Sequence, residues 1–152
     1  MDLGREWAPD DSPTSSPEKE DRLMAQYVEE RGGLLFTQVN VAYRSEGLGH
    51  RYLDGLRIID PGVGEGEMYS YGGANRETIW GLMEEHPVEA IEVHDWGLDV
   101  FGHCLGKAAI IEQEFDPPAV DRTIIVGDGP PDEPAVEQVY DAFGVNWVVI
   151  DA

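Results

Sequence analysis

Val88-Glu-Ala-Ile-Glu-Val-His-Asp95 reads as a short apolar strand carrying a carboxylate and an imidazole at alternate positions. Successive side chains of a strand point to opposite faces, so Glu92 and His94 share one face and Ile91 and Val93 the other. One face is oily, and the other presents two groups able to ligate a metal or move a proton. Upstream, Tyr52-Leu-Asp-Gly-Leu-Arg-Ile-Ile59 is a second strand pattern containing Asp54. If these strands pair, Asp54 and Glu92 can share one divalent cation.

The rest of the chain supplies a frame for that pair. Ser16 as N-cap and Pro17 at the first helical position open a helix. Leu23, Met24, Tyr27 and Val28 form its apolar face, and Gly32-Gly33 stops it. Leu34 to Val41 alternates as a strand, with Gln38 and Asn40 on the face of Phe36. A loop rich in Gly and Arg leads to the Asp54 strand, and a Gly-rich excursion follows it, with a short strand at Met68 to Tyr71. Asn75 caps a helix with Ile79, Leu82 and Met83 inside, closed by His86-Pro87. Beyond the Glu92 strand, Asp99 is an N-cap candidate for a helix carrying Phe101, Cys104, Leu105, Ala108, Ile111 and Phe115. Arg122 to Val126 lacks alternation, as a strand buried on both faces does. Ala135 to Phe143 is a last helix with Val136, Val139, Tyr140 and Phe143 inward, and Val145 to Ile150 a last buried strand. The order is α-β-β-(β)-α-β-α-β-α-β. It predicts an α/β fold with a mixed central β-sheet flanked by helices, a meander first and parallel crossovers after. Residues 1–15 are expected to be a disordered acidic tail, and 16–152 a single domain.

Composition sets limits. Asp and Glu number 31 against 10 Lys and Arg, a formal charge of −21 at 41% hydrophobic content. Only Lys19 and Lys107 are lysines. An acidic, lysine-poor yet apolar chain has the composition of a folded protein from a salt-accumulating halophile. High salt screens repulsion from nucleic acid and also weakens phosphate-driven affinity, so charge alone decides nothing about a DNA partner. No apolar run reaches bilayer length and no signal-peptide pattern opens the chain, so a soluble, cytoplasmic protein is expected. Cys104 has no partner for an internal disulfide and reads as a small buried residue. Gly62-Val-Gly-Glu-Gly66 is no dinucleotide fingerprint, Gly127-Asp-Gly-Pro-Pro131 lacks the Lys of a P-loop, and no Cys/His spacing suits structural zinc.

The pattern resembles the PD-(D/E)xK superfamily, the restriction endonuclease-like fold, over roughly residues 21–151. Leu53-Asp54-Gly55, Ile91-Glu92-Val93-His94 and the helical Leu105-Gly106-Lys107-Ala108 carry the resemblance. It implies hydrolysis of DNA phosphodiesters, with Asp54, Glu92 and the Val93 carbonyl holding Mg²⁺ or Mn²⁺. It also allows a homodimer. Two positions depart from the pattern. His94 stands where the family has its lysine, and Gln38 where many relatives carry an early acid. Imidazole can act as base or ligand but holds no constant charge near neutrality. Lys107, with His103 one turn before it on the same helical face, is the candidate replacement. Arg44 and Arg51, in the Gly-rich loop before Asp54, are candidates for phosphate contact. The second reading is a catalytically degenerate module of the same fold that binds nucleic acid or protein.

Overall fold

The computed structural model describes residues 3, 6–7, 16–42, 49, 51–59, 62, 66–70, 76–94, 98–127 and 134–150. Helix α1 (Ser16–Arg31) and strand β1 (Leu34–Asn40) are joined by two glycines, both in left-handed backbone, with φ 81° at Gly32 and 85° at Gly33. The Gly32 N–H closes the helix on the Val28 carbonyl at 2.8 Å. A Cβ on Gly33 would collide with the Ile58 carbonyl oxygen, so only glycine lets the helix turn this tightly into the sheet.

The elements that follow are β2 (Tyr52–Ile58), β3 (Glu67–Ser70), α2 (Arg76–Glu85), β4 (Val88–Val93), α3 (Leu98–Phe115), β5 (Val120–Val126), α4 (Pro134–Ala142) and β6 (Asn146–Val149). The described strands form one mixed sheet in the order β3-β1-β2-β4-β5-β6. Strands β1, β2 and β4 pair antiparallel as a meander, with β3 parallel to β1 at one edge. Strands β4, β5 and β6 run parallel, joined through α3 and α4. No helix among the described residues is long and apolar enough to cross a membrane.

Helices cover both faces. Leu23, Met24, Tyr27 and Val28 of α1 pack on Leu35, Ile91, Val93 and Ile125. On the other face, Ile79, Leu82 and Met83 of α2 and Ala108, Ile111 and Phe115 of α3 pack on Phe36, Leu56, Ile58, Val88 and Ala90. Tyr140 of α4 joins Val100 and Cys104 of α3 over Ile124 and Val126. Central β4 is therefore buried at all six positions, not oily on one face only.

Several local expectations change. Helix α3 begins at Leu98, so Asp99 lies in its first turn and is not its cap. Phe143, expected inside, is 60% exposed just past the end of α4, edge-on to Phe101. Strand β6 is an edge strand and only partly buried. Gln38 is exposed with φ 52°, which breaks the alternation that placed it with Phe36. Within residues 1–15, Leu3 and Trp7 pack on the body of the fold, Glu6 bridges Tyr69, and the Trp7 N–H donates to the Met68 carbonyl at 2.8 Å. Asn75, expected as a cap, lies outside the described residues.

Candidate active site

Strand β4 carries two glutamates three positions apart, so they leave the strand on opposite faces. Glu89 turns toward α1. There Arg57 Nε donates to it at 2.6 Å, Tyr27 Oη at 2.7 Å and Thr123 Oγ1 at 2.6 Å. Arg57 also donates to the Gly32 carbonyl at 3.1 Å. The buried carboxylate thus has an ion-pair partner and two hydroxyl donors, which is how a buried charge is tolerated.

Glu92 turns toward α3 and meets a different setting. The antiparallel ladder between β2 and β4 runs from Ile58↔Val88 to Gly55↔Ile91. One further step in that register sets Asp54 opposite Glu92. At this point the Val93 N–H donates to Asp54 Oδ2 at 2.9 Å. The Asp54 side chain takes the backbone donor at the end of the ladder, and this fixes its carboxylate beside that of Glu92. Strand β4 stays held on its other side, where the His94 N–H donates to the Ile125 carbonyl at 3.1 Å.

A cleft of about 240 Å³ opens at this point, lined by Glu20, Asp54, Glu92, Val93, His94, Asp99, Val100, His103 and Lys107. Lys107 Nζ of α3 donates to Glu92 Oε1 as a buried ion pair. Glu92 is 4% exposed. Burial first, then the hydrogen bond and charge of Asp54, push its carboxyl up to about 8, while Lys107 pulls it down. Glu20 of α1 is pushed up to about 7, first by burial, then by Asp54 and Asp21, with His94 opposing. Two carboxyl groups held this far above the ordinary carboxylate range mark a site with more acid than cation. Glu89, with the same side chain on the same strand, is built into structure, whereas Glu92 is crowded against a like charge.

The cleft gathers Asp54, Glu92, Val93, His94 and Lys107 from four parts of the fold: β2, β4, the turn beyond it, and α3. Gln38 lies on β1 opposite Asp54 of β2, between the pairs Thr37↔Gly55 and Val39↔Leu53, but it is exposed and does not line the cleft. Arg51 immediately precedes β2, where its N–H donates to Asn40 Oδ1 at 3.1 Å. It borders a groove next to the cleft. Arg44 lies outside the described residues. Cys104 is buried, and burial first, then the Glu92 charge, push its thiol up to about 12, which leaves it unreactive.

Glu20 and Asp99 line the cleft, and the sequence reading gave neither of them a site role. Glu20 had a legible signal. It precedes Leu23, Met24, Tyr27 and Val28 at helical spacing, so it is a carboxylate in line with the buried face of α1. Asp99 was hidden by its resemblance to an N-cap.

Among the described residues, no group of three or more His, Cys, Asp or Glu side chains is placed to hold a metal ion. The Asp54–Glu92 pair still suits a hard divalent cation, because Mg²⁺ binds through one or two carboxylates and keeps water in its remaining positions. The chain matches no family model, no curated protein and no solved structure.

Proposed function

We propose that the cleft is the centre of a metal-dependent nuclease-like domain that hydrolyses phosphodiester bonds in DNA, in the manner of the PD-(D/E)xK fold. One observation carries the reading. The β2–β4 ladder ends where Asp54 and Glu92 come face to face, and the lysine of α3 reaches the same carboxylate. Asp54 and Glu92 would hold Mg²⁺ or Mn²⁺, with the Val93 carbonyl as a further oxygen. The cation supplies charge to the phosphate and acidity to the attacking water. Lys107, paired with Glu92, would take the part of the family's motif lysine and contribute the constant charge that His94 cannot. His94, exposed at the lip of the cleft, and His103 are placed to exchange protons with solvent.

The test is calorimetric titration with Mn²⁺ in molar KCl, wild type against the double variant Asp54→Ala/Glu92→Ala, followed by DNA cleavage. The reading expects binding that the double variant loses and cleavage that Lys107→Ala abolishes. Identical weak binding in both proteins removes the metal site. Cleavage untouched by Lys107→Ala removes the lysine's role.

A second reading, a catalytically degenerate binding module, draws on two observations. Lys107 already compensates Glu92, and the described residues assemble no three-ligand cluster. It expects DNA or protein binding without Mn²⁺-dependent cleavage.

A further inference from the structure

A cavity of about 380 Å³ lies away from the carboxylate cleft and shares no lining residue with it. It opens on the α1 face of the sheet, near the first residues of β4, β5 and β6. The strand registers set Arg57, Glu89 and Asp121 side by side on β2, β4 and β5, and Thr123 beside Asn146 on β5 and β6. Arg31, the last residue of α1, and Asp141 of α4 are exposed and complete the polar lining.

Charge is sorted within this cavity. Two guanidinium groups come from α1 and β2, and both are held on the buried Tyr27 ring: Arg31 lies 5.4 Å from its centroid and Arg57 5.8 Å. Two carboxylates, Asp121 and Asp141, come from β5 and α4. Strand β4 separates β2 from β5, so the backbones that carry Arg57 and Asp121 are about 10 Å apart. No ion pair among the described residues joins the two groups. Arg57 donates through Nε to Glu89 and through Nη1 to the Gly32 carbonyl. Its Nη2 bonds to no described residue and is not sealed in, although Arg57 is only 9% exposed. The side chains of Arg31, Asp121 and Asp141 likewise make no hydrogen bond or ion pair with a described residue. Charges that could have paired are thus held apart across a space of small-molecule size.

We propose that this cavity binds a small zwitterion of the amino-acid class. The ligand carboxylate accepts from Arg57 Nη2 and from Arg31, and its ammonium donates to Asp121 and Asp141. An anion alone would leave the two acids unanswered, and a cation alone the two guanidinium groups. Glu89 keeps its structural part, and by holding Arg57 through Nε it leaves the Nη2 end for the ligand. The inference does not depend on the nuclease reading, because the two sites lie on opposite faces of β4 and have no residue in common.

The test is a titration of the full chain in molar KCl, followed by ¹H–¹⁵N spectra. The probes are the unbranched amino acids from glycine to 6-aminohexanoate, which vary the distance between the two charges, with butyrate and butylammonium as singly charged controls. The Trp147 indole N–H and the backbone N–H groups of Thr123 and Asn146, which line the cavity, are expected to shift and saturate with one length of zwitterion. That zwitterion is expected to bind about fivefold or more tightly than either control. Arg31→Gln and Asp121→Asn change exposed side chains, so each is expected to keep the wild-type spectrum elsewhere and to weaken binding about fivefold. Asp116→Asn, an exposed acid outside the cavity, is expected to bind as wild type. No saturable shift at these signals with any probe overturns the proposal. So does a control that binds as tightly as the best zwitterion, or an affinity that neither Arg31→Gln nor Asp121→Asn alters.

Discussion

Replacing Glu92 by glutamine is expected to stabilise the fold near neutral pH while removing a metal ligand. Glu92 is 4% exposed, and its carboxyl is pushed from 4.5 to about 8, by burial first and by Asp54 next. A shift of that size corresponds to about 5 kcal/mol against the ionised form. Glutamine removes that penalty but leaves the Lys107 ammonium, whose side chain is 14% exposed, with an amide oxygen in place of a carboxylate. The net gain is expected to be about 2 kcal/mol at pH 8, because losing the partner of a buried charge takes back much of the difference.

The pH dependence separates this account from others. The folded value lies above the unfolded one. Below pH 4.5 both states hold the proton, and the carboxyl's burial as an ion is not at issue. Between 4.5 and about 8 the unfolded chain has released its proton and the folded chain has not, so wild-type stability falls as pH rises, by up to about 1.4 kcal/mol per unit. Above about 8 the loss is complete. Taking Glu92→Gln minus wild type cancels the titration of the many surface acids. Urea unfolding in molar KCl, repeated at steps from about pH 5 to pH 9, should give a difference that grows in favour of the variant. A difference that is flat with pH, or destabilising throughout, would show that Glu92 is simply the partner of Lys107 and not a crowded acid.

Mn²⁺ at a hundred times its Kd is expected to raise wild-type stability by about 2.7 kcal/mol and to leave Asp54→Asn unchanged, read as the shift in urea midpoint. Glu89→Ala should destabilise by about 3 to 5 kcal/mol, because it strands the Arg57 guanidinium in the interior; a loss below about 1 kcal/mol in the same assay would place that network at the surface. Gln38→Gly relieves a φ of 52° and should stabilise by about 1 kcal/mol with Mn²⁺ affinity unchanged, whereas lost affinity would return Gln38 to the site.

The architecture was legible because the local patterns agree with one another. The apolar stripe of α1, the paired glycines after it, and the Ile124-Ile125-Val126 run of β5 each name an element without reference to the others. The misreadings fall where a local rule has two outcomes. An Asp in the first turn of a helix resembles the cap before it, and Asp99 proved to be the former. The apolar periodicity of α4 runs through Phe143, but the helix closes at Ala142 and the Phe143 side chain stays at the surface against Phe101. Gln38 departs because alternation presumes an extended residue, and its backbone is left-handed.

The site was legible only in part, and Glu89 and Glu92 show why. Both are glutamates, both are buried, and three positions separate them on one strand. Periodicity tells that they face opposite ways, but not which is structural. That depends on partners 32 to 62 residues away in the chain, where Arg57, Tyr27 and Thr123 converge on Glu89. Among the described residues, no hydroxyl donors of that kind converge on Glu92, whose donor is Lys107. The ladder that could have sealed its side of the strand ends instead with Asp54 reaching for the Val93 N–H, and a second carboxylate arrives with it. A chain selected for stability alone would extend the ladder by one pair and put apolar residues at both positions. That it carries two acids there, with Lys107 and Glu20 lining the same space, is the physical reason the proposed function is placed in this cleft and not at the Glu89 network.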